Sequence, residues 1–524
     1  MALTKPSRKD LVAGLLVFLI ALPLCLGISL ASGFPPVAGL LTAIVGGLLA
    51  SHLGSAPLTI KGPAAGLIVI ALGAVTELGQ GDAMLGYRRA LAVGVVAGAI
   101  QLVLGVLRAG RIAVLMPLSV VHGMLAAIGV IILAKQLPVV LGVLGAKGAP
   151  LAMLVHLPQD IMANNPEIMA IGLISLAILA TWRFVPGKLG KIIPAPLVVL
   201  FIAVPLSLAF DLSHTHTYTI AGQIHEVGPA YLVNLPGNLL DAVTLPLFDV
   251  ITSATSLKYI AMFALVGTIE SLLSVLAVDA MDPAKRTSNL DADLRVTGLA
   301  NLVAAAIGGL PMISEIVRSK ANIDAGALTS WANFFHGAAL LVFVAAAPAL
   351  LHLIPLAALA AMLVMVGVRL ASPGEFRHVW HIGKDQFVLF VVTLAVTLAT
   401  DLLVGVGVGV ALKVVLHLAR GASPAGLFKA DVQASREGDT LVVRARGALL
   451  FTNLLALRRV LAPATEPGIK TVRLVVDDVR MVDHTTQERL HAMANEWPDA
   501  RLVIEGLGRL HAVSGHRTAF RSAR

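Results

Sequence analysis

The chain has 524 residues, 57% of them hydrophobic and only 13% charged, with a formal net charge of +9. Soluble domains carry about 45–50% apolar and about 25% charged residues, so this is the composition of a polytopic membrane protein whose apolar faces are covered by lipid. The basic surplus is scattered through short loops, which argues against a nucleic-acid surface, and the single cysteine, Cys25, excludes an internal disulfide framework or a Cys-x-x-Cys metal site.

The N-terminus, MALTKPSRKD, runs into a long apolar stretch with no clear Ala-x-Ala cleavage site and reads as an uncleaved first span. Apolar segments then recur at 11–31, 37–54, 63–78, 88–107, 111–134, 166–185, 193–210, 258–278, 293–309, 317–328, 332–353, 356–372, 384–401 and 402–420. That makes fourteen spans, of which 63–78 and 317–328 are too short to cross about 30 Å of hydrocarbon as helix alone. With a cytoplasmic N-terminus, the inside loops hold Arg108, Arg111, Arg183, Lys188, Lys191, Lys285, Arg286, Arg295, Arg369, Arg377 and Lys384. The outside loops hold Arg88, Arg89, Lys135, Lys147 and Lys258, and this bias predicts both termini inside. A polar loop carries His214, His216 and His225, which read as solvated residues without metal-ligand spacing.

The third and tenth segments open on "APLTIKGPAAGLIVI" and "GGLPMISEIVRSKANI", each a Gly/Pro break followed by a short helix. They occupy equivalent places if spans 1–7 and 8–14 form two halves, and such a pair is the best sequence pointer to a transporter binding site. Each half-helix exposes backbone N–H groups and a partial positive charge at its start, so two of them face to face cradle an anion. Lys61, Arg318 and Lys320 add positive charge nearby. The competing reading is a pair of kinks with local ion pairs, Glu315 with Arg318 at i,i+3 and Lys320 with Asp324 at i,i+4. In the eighth span, "MFALVGTIESLLSVLAVDAM", Glu270 is an acid inside an otherwise apolar helix, with Ser271 beside it and Ser274 one turn on. Glu270 and Ser274 could hold Na+, the carboxyl alone a proton, and a structural hydrogen bond to a neighbouring helix is the alternative.

After about residue 421 the runs "DTLVVRARGALLF", "TVRLVVDDV" and "ARLVIEGL" alternate with the helix-like "TNLLALRRVLAPA" and "HTTQERLHAMANEW". This pattern predicts a small cytoplasmic α/β domain. The expected division is 1–420 for the transmembrane part and 421–524 for the tail.

Taken in order, "LPLCLGISLASGFPPVAGLLTAIVGG", "GTIESLLSVLAVD", "SNLDADLRVTGLANLVAAAIGGLP" and the tail's "VVDDVRMVDHTTQERL" resemble the bacterial branch of the SulP/SLC26 anion transporters, with a C-terminal STAS domain. The resemblance implies a seven-plus-seven inverted repeat divided into core and gate domains, a homodimer in the bacterial inner membrane, and elevator-like alternating access. It places the anion at Pro63, Ala64 and Ala65 of span 3 and at Val317, Arg318 and Ser319 of span 10. Leu24 and Ile28 of span 1 and Glu270 of span 8 line the same place. The set Lys61, Glu315 and Lys320 resembles a bacterial subgroup associated with carbonic anhydrases, which puts bicarbonate ahead of sulfate. The family's Asp-Ser-Ser/Thr pattern is Asp483-His484-Thr485 here, where Thr485 reads as a phosphorylation site or as part of a helix N-cap.

The expected function is Na+- or H+-coupled transport of a small inorganic anion. The alternatives are an uncoupled anion channel, exchanger or sensor, and a dicarboxylate or nucleobase carrier on the same fold. No nucleophile–base pair, metal-ligand spacing or phosphate-binding glycine loop in a soluble βα unit supports an enzyme or a cofactor.

Overall fold

A computed structural model describes residues 5–523 apart from 54–55, 111–114, 147, 187–192, 221, 238, 467, 496 and 498. Arg111, Lys147, Lys188 and Lys191 of the loop-charge pattern lie outside the described residues. Each of the fourteen apolar segments falls on a helix, numbered here in the same order: α1 Arg8–Ala31, α2 Pro36–Ala50, α3 Ile68–Gly79, α4 Ala83–Val106, α5 Leu118–Val140, α6 Pro166–Thr181 and α7 Ala195–Ala209, followed by α8 Ala254–Met281, α9 Leu290–Ala306, α10 Ile316–Asp324, α11 Trp331–Ala346, α12 Leu356–Leu370, α13 Lys384–Ala399 and α14 Leu402–Ala419. Six helices are long and apolar enough to cross a membrane by length and composition: α1, α4, α5, α8, α14 and the stretch Leu356–Ile382.

Helix starts follow local chemistry. Ser7, Asp82, Asn165, Ser253 and Asp401 each accept a backbone N–H of the first turn, and Pro36 and Pro166 stand where no intrahelical donor is needed. Small residues permit close helix crossings. A Cβ on Gly98 of α4 would lie 2.7 Å from Leu302 N of α9, so the two backbones touch there as membrane helices do.

The chain forms two compact units, the first comprising residues 1–110, 128–283 and 288–370, the second 111–127, 284–287 and 371–524. In the first, the loop after α7 is a hairpin, β2 His216–Ile220 with β3 Gln223–Val227. Its histidines take local partners: His214 Nδ1 lies 2.8 Å from Asp211 Oδ1, His216 Nδ1 3.0 Å from the His214 carbonyl oxygen, and His225 stacks on Tyr218.

The second unit carries a mixed sheet built from β5 Asp431–Glu437, β6 Thr440–Leu449, β7 Thr471–Val482, β8 Arg501–Glu505, β9 His511–Ala512 and β10 Arg521–Ser522. β6, β7 and β8 run parallel, as the intervening helices α15 Leu454–Leu461 and α16 His484–Asn495 require. Val443, Leu474, Leu454, Leu457 and Leu490 close the core between them. The sequence pattern does not reveal β5, because this edge strand is exposed along most of its length and has no apolar period.

The start of α16 follows the N-cap reading of Asp483-His484-Thr485, with Asp483 rather than Thr485 as the capping residue. The capping group is Asp483, whose Oδ1 accepts the Thr486 N–H at 2.7 Å. Thr485 is fully buried and its Oγ1 accepts from Lys413 Nζ at 2.7 Å, so its hydroxyl is not open to a kinase in this arrangement. Lys413 Nζ is also 3.2 Å from Asp483 Oδ2. Burial alone would raise Asp483; Lys413, His417 and the Thr486 bond override it and hold the carboxyl below its ordinary value.

Burial also holds His484 below the usual imidazole value, opposed by its hydrogen bond to the Thr518 carbonyl. An unfolded histidine takes a proton near about pH 6.5. The folded one does so at lower pH, so the unfolded state binds more protons in between, and this contribution to stability is complete above that pH and declines below it. His491 is lowered by burial as well and acts in the same direction. Amide exchange across α16, corrected for intrinsic rates, is expected to accelerate between pH 7.5 and 5.5, and less so in His484→Gln. Equal protection at both pH values would contradict this.

Candidate functional site

The Gly/Pro breaks of the third and tenth segments leave the chain extended: Gly308 has φ +104, and Pro63 and Pro311 lack an N–H for a continuing helix. The two extended pieces find each other. β1, Ile60–Pro63, pairs antiparallel with β4, Met312–Glu315, in the register Ile60↔Glu315, Lys61↔Ser314, Gly62↔Ile313 and Pro63↔Met312. A short turn, Ala65–Leu67, leads from β1 into α3, and α10 leaves the other end of the ladder directly. The residues before each helical start, Ala64, Leu67 and Glu315, make no cap with their own side chains, which leaves the first N–H groups of α10 available to a ligand.

Arg318 crosses between the two segments. Its Nη2 donates to the Pro63 carbonyl at 2.8 Å, and Nη1 lies 3.5 Å from Cys25 Sγ of α1. The residue is 1% exposed, and its Nε is enclosed without a hydrogen-bond partner. Gly62 makes room for it, since a Cβ there would overlap the guanidinium. The expected i,i+3 ion pair with Glu315 is absent from the described ion pairs. Glu315 is the extended residue before α10, so helix spacing does not govern its direction, and its carboxylate instead faces the Ala65 N–H.

The two lysines assigned as auxiliary charges are spent elsewhere. Lys61 is fully buried and its Nζ contacts Asp293 Oδ1 and Oδ2 at 2.7 Å each, Thr297 Oγ1 at 2.9 Å and Ser314 Oγ at 2.5 Å. Lys320 forms the expected i,i+4 pair with Asp324, at 2.9 Å on an exposed face. Arg318 is therefore the basic residue of this set whose charge is not offset by a carboxylate in direct contact. Ser319 is occupied too: its Oγ accepts the Ile60 N–H at 2.9 Å and donates to the Glu315 carbonyl at 2.6 Å, which clamps β1 to the first turn of α10.

Of the remaining candidates, Ala64 and Ile28 are buried, Ala65 is half-buried and Val317 is 44% exposed. Leu24 is half-buried and packs on the apolar cluster of Ile168, Val199 and Met362; the α1 side chain that reaches Arg318 is Cys25. Glu270 of α8 lies against Gly66, where an added Cβ would overlap its carboxylate. Its Oε2 is buried without a hydrogen-bond partner, so the expected alternative of a structural bond from this oxygen to a neighbouring helix is not realised. Ser274 is buried on the same helix, but it is Ser271 whose Oγ accepts the Ser314 N–H, at 3.1 Å. Pattern reading passed over His336 of α11, fully buried with neither ring nitrogen hydrogen-bonded and close enough to feel the Arg318 charge. In sequence it stands in the apolar, aromatic run "WANFFHGAALL" with only Asn333 as a polar neighbour at i−3, and no charged residue marks it.

Two helical starts, one enclosed guanidinium and one enclosed carboxylate thus meet at a strand ladder within a membrane-type fold. Residues 8–393 match the family described as the sulfate permease family. The chain belongs to the sulfate permease family. YvdB of Bacillus subtilis (strain 168), provisionally named a sulfate transporter, is 27% identical over 95% of this chain and 91% of its own length. The bicarbonate transporter BicA of Synechocystis sp. (strain ATCC 27184 / PCC 6803 / Kazusa) is 28% identical over 74% of this chain, and the match spans 65% of BicA, just under two thirds of its length. Among solved structures, the transmembrane domain of a cyanobacterial BicA aligns with TM-score 0.63 at 26% identity, covering 77% of this chain and 97% of that one. SLC26A9 aligns with TM-score 0.70 over 95% of this chain and 84% of its own, and at 16% identity that match speaks for the fold alone. As a sulfate permease family member the protein is a membrane anion transporter and not an enzyme.

Proposed function

We propose that the protein is a secondary active transporter of a small inorganic anion, bicarbonate or sulfate, and that the anion binds between the starts of α3 and α10. The observation that carries this is the enclosed Arg318 guanidinium, whose Nε lacks a partner, in the first turn of α10, which Glu315 leaves uncapped. A guanidinium offers five donors in a rigid fork suited to planar or tetrahedral oxyanions. Pro63, Ala64, Ala65 and Val317 supply backbone around it, with Ile28 and Leu24 as the apolar wall on α1. Bicarbonate draws support from BicA and sulfate from YvdB.

Coupling is assigned to Glu270. A buried carboxylate oxygen without a donor is costly, and a proton, or Na+ shared with Ser274, supplies what is missing. Anion and cation then enter together and partly cancel, and Glu315 at the Ala65 N–H makes that compensation more necessary. The same reading takes the halves before and after about residue 250 as inverted repeats that each contribute to a core and a gate domain, with α3 and α10 together in the core as the β1–β4 ladder requires, and the core moves against the gate in an elevator cycle. It gives a homodimer in the bacterial inner membrane with both termini cytoplasmic, and residues 421–524 as a STAS tail. A carbonic anhydrase neighbour fits a bicarbonate substrate.

Uptake of labelled bicarbonate, sulfate and fumarate into proteoliposomes, with imposed Na+ or pH gradients, tests the reading. Accumulation of one inorganic anion above equilibrium, driven by one gradient, is the expected result; dissipative flux alone indicates an uncoupled channel, and fumarate accumulation a dicarboxylate carrier. In Glu270→Gln, exchange of internal for external anion is expected to persist while gradient-driven accumulation falls at least about tenfold. Accumulation at the wild-type level would remove Glu270 from coupling.

A further inference from the structure

The surroundings of Lys61 are those of a cation-binding site. Four oxygens from three side chains converge on one point: both carboxylate oxygens of Asp293 at 2.7 Å, Thr297 Oγ1 at 2.9 Å and Ser314 Oγ at 2.5 Å. All three ligand side chains are fully buried, as is Lys61. They come from two places in the chain, Asp293 and Thr297 one turn apart on α9 and Ser314 on β4. Asp293 Oδ1 also accepts the Ala56 N–H at 3.1 Å, and Ser271 Oγ lies 3.4 Å from Ser314 Oγ.

Such a set of one carboxylate and two hydroxyls is what a hard monovalent cation takes. The charge count agrees: a single carboxylate neutralises one positive charge, whereas a divalent ion would leave an uncompensated charge in a dry interior. We propose that Asp293, Thr297 and Ser314 form an alkali-cation site in which the Lys61 ammonium is the resident, covalently tethered cation. The lysine reaches it from β1, directly opposite Ser314 in the ladder. It thereby joins β1, β4 and α9 by one charge that cannot dissociate, and the ladder under the anion cradle keeps its shape whatever the salt. Removing the side chain leaves the oxygens in place and opens the site to Na+ or K+ from solution. This site is distinct from the coupling position at Glu270, and it does not depend on which anion is carried.

The test uses the full-length protein in detergent, with thermal unfolding followed in Na+, K+ and choline gluconate at constant ionic strength. Lys61→Ala and Lys61→Ser are each expected to unfold well below the wild type in choline. Saturating Na+ or K+ should return about 5 °C or more of the loss, beyond any shift the wild type itself shows, and the Lys61→Ala/Asp293→Asn double variant should lose the gain. A parallel measurement of 22Na+ binding at equilibrium should give about one more site per chain in Lys61→Ser than in the wild type. The proposal is overturned if both single variants are equally unstable in all three salts, or if neither can be extracted folded even at molar Na+ and K+, because Lys61 is then a plain structural ion pair. Because the readouts are stability and cation binding, a failure of anion uptake leaves this result interpretable, and a failure here leaves the uptake experiment intact.

Discussion

Asp293→Ala is expected to destabilise the protein by about 3–5 kcal/mol, because it removes the carboxylate and leaves the Lys61 ammonium buried. Both side chains are fully buried and their polar contacts are confined to a few neighbours, so solvent screening offers no relief. The variant lowers the unfolding temperature and the yield of folded protein, and the ladder at the cradle is its first casualty. Asp293→Ala combined with Lys61→Met removes both charges at roughly conserved volume and should recover much of the loss, since exchanging a buried ion pair for apolar groups is often neutral or better. Unfolding curves of the two variants against the wild type decide the matter. If Asp293→Ala unfolds within about 1 kcal/mol of the wild type, the pair is not the compensated buried contact described here.

Arg318→Ala carries the second large effect, on binding more than on stability. A buried guanidinium that bonds a bound oxyanion is worth about 2–5 kcal/mol when truncated, which corresponds to a rise in the apparent KM of about 30-fold or more. Arg318→Lys keeps the charge but not the fork, and should fall between the two. Initial uptake rates over a range of anion concentrations distinguish the outcomes. An unchanged KM in Arg318→Ala would make Arg318 a brace that ties α10 to the Pro63 carbonyl and nothing more. Its structural bonds to Pro63 and Cys25 are two contacts, and losing them costs some stability, so the KM must be read from protein that retains its unfolding transition.

Much of the fold was legible because helices announce themselves through apolar length, and all fourteen apolar segments coincide with helices. The parallel strands of the tail were legible through short Val- and Leu-rich runs, whereas β5 was not, since an exposed edge strand carries no such run. At the site the two interrupted segments could be named, and so could Arg318, but not what each charge would touch. Lys61 and Asp293 are 232 residues apart, and no local period reports such a contact. Lys320 and Asp324 were readable as a pair because both lie inside one helix. Glu315 and Arg318 have spacing nearly as good, yet Glu315 stands in the strand just outside that helix, with φ −90 and ψ 115. Spacing rules hold only where the backbone is helical, and the site sits where it stops being so.

The β1–β4 ladder also sets a schedule. Ile60–Pro63 has no partner until Met312–Glu315 has been synthesised, about 250 residues later, which at roughly 5–20 residues per second is on the order of tens of seconds. Throughout that interval the N-terminal strand has backbone groups with no ladder, and its lysine has no carboxylate, since Asp293 too is still to come. Lipid offers neither. The proposed anion site therefore cannot be assembled until β4 has been made and closes on β1.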